Sequence, residues 1–405
     1  MTPTLAPRLL DAAFFADPYP AYRTLREAGP LHWSEEFFGG AWLLTRHADV
    51  EAVLRDPRFS ARRTSGWVNA AQSQRGELAG FQQLFARALL FLDAPDHTRV
   101  RALLQAAFRP DALQRLRPRI EALADALLDA IDPREPFDAI ARIARPLPVQ
   151  VISLVLGIDT APRDDVMRWS DDLAAFIGAP QPTRALALRA QSSLLGMTRH
   201  FAAQLHADGP QCAGGLVAQL LQARERGAFR DDAECLAQCA MLLFAGHETT
   251  RNLLGNGLLA LLSHPQQWEL LRDAPERIPG AVRELLRFDS PVQYTGRRVT
   301  TALQLHGQTL QRGDLVLLLL GAANRDPARH AHPDRLDVLR ADPGSLAFGS
   351  GIHACLGAAL TRLEAEIVLR RLLQRWPRLR LADAAPCWFD NPAYRGLRSL
   401  LLRAD

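Results

Sequence analysis

Between residues 97 and 262 apolar side chains recur at three- and four-residue spacing, the pattern of helices with one buried face. Proline and glycine interrupt it at Arg109-Pro110, at Asp132-Pro133, and across 178–182 and 209–215. The last segment, about 232–263, has no proline, and Asp231 with Glu234 forms a capping-box pattern at its start. At 1.5 Å per residue it would run roughly 45–50 Å, enough to cross a whole domain. Upstream, a short helix follows the proline-rich Asp17-Pro18-Tyr19-Pro20-Ala21-Tyr22. Residues 42–45 read as a strand, 48–55 as a helix, and 60–90 as loop plus a short helix. Downstream, 293–300 and 304–320 have strand character. A long irregular stretch, 322–350, then precedes a helix over 356–376 and short closing strands. The pattern predicts a mainly α chain with a small β-rich lobe. No repeat or flexible linker divides it, so 1–405 reads as one domain with the long helix at its centre.

Composition narrows the function classes. Hydrophobic residues make up 48% of the 405, as in ordinary globular proteins. No lysine occurs, so the 48 basic positions are all arginine and lysine Schiff-base catalysis is excluded. The net charge of +4 is small, and no basic run interleaved with aromatics suggests nucleic acid. The cysteines (Cys212, Cys235, Cys239, Cys355, Cys387) are odd in number and scattered, which argues against a disulfide framework. Cys235 and Cys239 share a helix face, but no further ligand near them suggests zinc. The first residues lack a signal-peptide pattern, and no uncharged apolar run of ~18 residues appears. A cytoplasmic protein without membrane attachment is expected.

The run Phe348-Gly349-Ser350-Gly351-Ile352-His353-Ala354-Cys355-Leu356-Gly357 sets one cysteine in a glycine-rich turn before a long helix. A thiolate there meets the dipole and free amides of a helix N-terminus. A lone cysteine is ordinarily a small buried hydrophobe, but ten constrained positions outweigh that reading. Haem iron held by a cysteine thiolate is the chemistry that needs this arrangement. The run resembles the haem-binding loop of the cytochrome P-450 superfamily. The resemblance implies a haem b cofactor, Cys355 as axial iron ligand, and Phe348 beside the cofactor.

Further constellations follow the family's order. Ala245-Gly246-His247-Glu248-Thr249-Thr250 lies midway along the long helix, where a glycine costs about 1 kcal/mol relative to alanine. An acid beside an alcohol can relay protons; the competing reading is a helical bend with the threonine bonded back to the preceding turn. The segment resembles the family's A-G-x-[DE]-T oxygen-binding motif. That implies Ala245 and Gly246 against the haem, with Glu248 and Thr249 organising proton delivery. His97 and Arg101 fall on one helix face and resemble the family's H-x-x-x-R, whose donors meet the haem propionates. Arg297 and His353 complete that set by resemblance. Arg298 competes with Arg297, because neighbours on a strand point to opposite faces. Glu284 and Arg287 can pair at i,i+3 and resemble the family's structural E-x-x-R. By the same resemblance Pro333-Asp334-Arg335-Leu336 supplies its third member, Arg335. Gly255-Asn256-Gly257 with Ala260 mimics a dinucleotide fingerprint, but it falls inside a helix with no strand before it, so that reading is rejected.

Taken together, the resemblance implies a soluble, bacterial-type haem-thiolate monooxygenase. It would insert one oxygen atom from dioxygen into a small-to-medium apolar substrate, hydroxylation first, in bacterial specialised metabolism. With no flavin or NAD module evident, electrons would come from a ferredoxin and its NAD(P)H-linked reductase. That partner would dock on the cysteine side, near Arg99, Arg109 and Arg362. Trp67, Phe176, Val292 and Tyr294, with Met241 nearer the iron, would line the substrate pocket, each being equally a core residue. A peroxide-driven peroxygenase is the alternative within the chemistry, although that type typically replaces the acid–alcohol pair. A haem sensor without turnover would leave the pair without a use.

Overall fold

A computed structural model describes residues 5–64, 66, 76–158, 163–206, 215–342, 344–382 and 385–404. Trp67 and Cys212 lie outside these residues. The central helix spans Asp232–Leu262. The Asp231 side chain accepts from the Glu234 amide at 2.8 Å. Glu234 turns its own carboxylate to the Arg230 amide and to the Arg99 guanidinium (2.9 and 2.6 Å), so only half of the capping box forms. The helix is buried on all sides, polar Gln238, Asn252 and Asn256 included, which is why its sequence shows no single apolar face. Helices Ala79–Arg87, Pro146–Leu156, Arg163–Gly178, Arg184–His206, Ile278–Phe288 and Ala358–Arg375 pack around it. Close packing explains its glycines. A Cβ at Gly246 would lie 2.7 Å from Ile152, one at Gly255 2.6 Å from Ile140, and one at Gly257 3.1 Å from Leu285. The glycine pair that mimics a nucleotide loop therefore serves helix packing.

A five-stranded sheet flanks the helices, in the order Leu31–Ser34, Ala41–Leu44, Leu315–Leu318, Thr295–Val299, Phe59–Ser60. Ala41–Leu44 and Leu315–Leu318 run parallel and the other pairs antiparallel. The expected strand over 304–320 is instead a hairpin, Leu303–Leu305 with Gln308–Leu310, followed by Leu315–Leu318. His306 and Gly307 form its turn with φ of 50° and 75°, and Leu320–Ala323 is already helical. Residues 60–90 contain a two-turn helix, Ala79–Arg87. Leu31–Ser34, Phe59–Ser60 and Phe137–Asp138 went unforeseen, since two to four residues are too few to show alternation. Among the described residues no helix is long and apolar enough to cross a membrane.

Glu284 and Arg287 are fully buried and paired through two bonds of 2.7 and 2.8 Å. The third member is Arg340, whose Nε donates to Glu284 Oε2 at 3.0 Å. The assignment to Arg335 is thus corrected. Arg335 has an exposed side chain and offers only its carbonyl, which accepts from Arg287 and Arg340, both at 3.2 Å. The chain must continue past Leu336, which is buried, before a guanidinium can return to Glu284.

Candidate active site

Cys355 precedes the helix Ala358–Arg375, whose N-cap is Gly357. Its amide donates to the Phe348 carbonyl at 2.8 Å, closing the loop. Gly349 and Gly351 have φ of 68° and 73°, which side chains rarely adopt, and a Cβ at Gly351 would meet the Leu54 carbonyl at 2.9 Å. Cys355 retains accessible surface even though protein surrounds it, because that surface faces an internal chamber. Burial pushes its thiol up, opposed by the amides of Gly357 and Ala358 and the charges of Arg101 and Arg362. These amides and charges all favour the thiolate once a metal replaces its proton.

Three adjoining chambers of about 200, 250 and 160 Å³ share Cys355, Thr249 and Leu90. All three carry basic groups, the first of them Arg63 and Arg298. His97, Arg101 and His353 line the second; Arg297 and His353, with Phe348, line the third. The His97 and His353 rings lie 4.2 Å apart, and the Nε2 atom of each is buried without a partner. Burial and the Arg297, His97, Arg63 and Arg101 charges push His353 down to about 3. Burial also takes Arg297 down to about 10. A cluster of cations and unsatisfied ring nitrogens around one cavity is destabilised until anions enter. Arg297 is the buried member of its pair, whereas Arg298 is part-exposed and donates to the Gly313 carbonyl at 2.8 Å.

Opposite Cys355, Ala245 is exposed in an otherwise buried helix because it walls the chamber. Gly246 lines it as well, but Ile152 is what requires the glycine. An apolar wall, a thiol opposite and basic groups at the rim fit a flat metal macrocycle bearing two carboxylates, as haem does. The Thr249 hydroxyl donates to the Ala245 carbonyl at 3.2 Å, the back-bond of the competing reading, yet it also borders all three chambers. Glu248 Oε1 accepts from Arg251 at 2.6 Å and Asn252 at 3.1 Å, while Oε2 is buried without a partner. Burial outweighs the Arg251 charge, so this carboxyl titrates above the usual range. Arg251 continues to Asp171 at 3.0 Å, and Asp171 to Arg145 at 2.6 Å. Asp171 and Arg145 are 40% and 38% exposed, so an ionic chain joins the buried acid to solvent.

The 200 Å³ chamber is mostly apolar, with Phe38, Ile177, Phe244, Val292 and Leu317 among its walls. Tyr294 lines it, and Met241 lines the neighbouring basic chamber. Phe176 does not border these chambers. It is fully buried and packs edge-on against Phe81 at 5.2 Å, while Ile177 from the same helix takes the expected place. Trp67, outside the described residues, has no position to report. Arg99 is committed to Glu234 and the Ala228 carbonyl (2.6 and 2.7 Å) and leaves the expected docking set. Arg63, Asp171, Arg251 and Glu364 were not foreseen. The i,i+3 spacing of Glu248 and Arg251 was a usable signal, as was Glu364, an acid four residues after Leu360 on the buried helix face.

Fold and site define a haem-thiolate oxygenase: a long helix crossing a chamber, a thiol on the far side, and an acid–alcohol pair on the helix. The cytochrome P-450 family model matches residues 208–381. Cytochrome P-450 107B1 of Saccharopolyspora erythraea is 39% identical, over 100% of this chain and 99% of the relative. The cytochrome P-450 monooxygenase PikC of Streptomyces venezuelae is 37% identical, over 99% and 95%. The crystal structure of CalO2 superposes with a TM-score of 0.90 at 34% identity, covering 99% of each chain. The chain belongs to the cytochrome P-450 family. It is a monooxygenase with a haem cofactor, a small-molecule substrate and redox partners.

Proposed function

We propose that Cys355 ligates the haem iron and that the enzyme inserts one atom of dioxygen into an apolar organic molecule, hydroxylation being the foremost outcome, in bacterial specialised metabolism. One observation carries the reading. Cys355, the basic cluster, and Ala245 with Thr249 converge on one set of chambers from four separate parts of the chain. When bound, haem supplies the redox chemistry of dioxygen activation, assisted by electron density from the thiolate.

The residues do the rest. The Gly357 and Ala358 amides hold the sulfur's charge. His97, Arg101, Arg297 and His353 would hold the haem propionates by hydrogen bonds and the arginine charges, and Phe348 and Met241 would pack beside the macrocycle. Burial raises the proton affinity of the Glu248 carboxyl, and its Oε2 has no competing partner. The Arg251–Asp171–Arg145 chain reconnects it to solvent, and the Thr249 hydroxyl passes the proton into the chamber. Val292 and Tyr294 form part of the substrate wall. Electrons come from a ferredoxin, itself reduced by a NAD(P)H-linked reductase. The acid–alcohol pair argues against peroxide-driven turnover, which needs no proton relay to dioxygen. Cys355→Ser tests the ligand: the thiolate-specific Soret band of the reduced, carbon monoxide-bound protein should vanish. A variant that keeps this band would show that another residue holds the iron.

A further inference from the structure

The mostly apolar chamber also carries polar groups: besides Glu248 and Thr249, the part-exposed Arg298 lines it, its guanidinium donating to the Gly313 carbonyl at 2.8 Å. Arg63 is 7% exposed and lines the chamber with Tyr294, Tyr394 and Thr295. Its guanidinium lies 4.9 Å over the Phe91 ring and donates to the Ala61 carbonyl at 3.2 Å. The wall is cut to admit it, since a Cβ at Gly296 would come within 3.1 Å of Arg63 Cδ. The Tyr294 hydroxyl is buried without a hydrogen-bond partner. Arg63 and the two phenols also act on one another's charge, and burial with the nearby Arg297 takes Arg63 down to about 9, so it is still a cation at neutral pH. The guanidinium can only donate, and each phenol can donate as well as accept. The acid on the same chamber, Glu248, already has its Oε1 committed to Arg251 and Asn252. Arg63 borders neither chamber that carries His97, Arg101 and Arg297, although its charge reaches Arg297 and His353. Convergent buried donors on the wall of an apolar cavity are complementary to an anion on an apolar body.

We propose that Arg63, with the Tyr294 and Tyr394 hydroxyls, anchors a carboxylate of the substrate, whose apolar remainder extends toward Thr249 and Cys355. The substrate class is thus an apolar carboxylic acid. This rests on the monooxygenase reading of the same site and narrows it. Decanoic acid and methyl decanoate are titrated into the haem-loaded enzyme, with binding read both by the Soret shift and by calorimetry. The acid should bind at least ~tenfold tighter than the ester, as expected for a hydrogen bond to a charged group. Arg63→Gln should abolish the preference while ester affinity holds, Arg63→Lys should restore part of it, and Tyr294→Phe should reduce it. Equal binding of acid and ester by the wild type overturns the proposal, as does a preference that survives Arg63→Gln. Weakened haem loading in Arg63→Gln with the preference intact also overturns it, placing Arg63 in the haem cradle. A preference measured by heat with no Soret response supports the anchor and instead refutes the reading of the chamber as the monooxygenase site. Should Arg63→Gln not accumulate folded, the acid–ester comparison and Tyr294→Phe carry the test.

Discussion

Thr249 holds two positions in one chemistry. Its hydroxyl is bonded back to the Ala245 carbonyl at 3.2 Å, a bond worth about 0.5–1.5 kcal/mol, so little opposes its turning into the chamber it borders. Thr249→Ala removes the hydroxyl and leaves Glu248 and the walls intact. Reducing equivalents consumed should then exceed product several-fold, with peroxide making up the difference; unchanged coupling would remove Thr249 from the relay. Glu364 presents a different case. It lies on the helix after the cysteine loop, borders the basic chamber, and buries Oε2 without a partner. Burial raises its carboxyl well above the ordinary 4.5, so the folded chain keeps a proton that the unfolded chain gives up. Folding therefore takes up a proton, and this contribution to stability, full below about pH 4.5, is lost as pH rises through the folded value. Glu364→Gln cannot ionise. Thermal unfolding should show it more stable than wild type near about pH 8, with the gain gone near about pH 4. A gain of equal size at both would mean that packing, not ionisation, sets the difference. The cysteine loop was legible because its residue types and spacing are local. Arg63 was not, because only the fold carries it to Tyr294 and Tyr394, more than two hundred positions downstream.

At the scale of elements, the buried Glu284–Arg287–Arg340 cluster ties the helix Ile278–Phe288 to the irregular stretch before the cysteine loop. Arg287 donates to the carbonyls of Asn324 and Pro333 at 3.0 and 2.8 Å, and Asp337 donates its amide to Glu284 at 3.0 Å. Arg340→Ala leaves Glu284 its two bonds to Arg287 but removes a charge-assisted hydrogen bond worth about 1.5–3 kcal/mol. Arg340→Ala should thus lower the unfolding midpoint and reduce haem retention, while Arg335→Ala, trimming an exposed side chain, should change stability by less than about 0.5 kcal/mol. The reverse order would return the third position to Arg335. The i,i+3 pair was readable because helix geometry brings it together, but the third member depends on the path of an irregular segment that has no periodicity to read. The central helix was found with its ends almost in place, since a long proline-free run with a cap is a local signal. Its glycines misled only about their purpose, because Ile152, Ile140 and Leu285 are distant in sequence.

Across the whole molecule, net charge says little about partners, because +4 is spread over a surface on which most arginines have acidic neighbours. What counts is the face nearest the thiolate. Ile352 is 53% exposed three residues before Cys355, an apolar spot large enough for a partner to cover. Arg109 is exposed directly after Phe108, whose ring lies 3.9 Å from where a Gly357 Cβ would be. Arg362 lies 5.8 Å over the Phe348 ring on the same helix that the cysteine loop opens. If the proposed ferredoxin docks here, a cationic rim around an apolar centre would steer it toward the iron, and the steering would weaken as salt shortens the screening length to about 8 Å at physiological strength. Ferredoxin-supported reduction of the haem should accordingly slow as sodium chloride is raised, with the loss in association rate rather than in the limiting electron-transfer rate. Arg109→Glu should slow association at low salt and flatten the salt dependence, leaving reduction by dithionite unchanged. A rate indifferent both to salt and to Arg109→Glu would move the docking face away from the cysteine side.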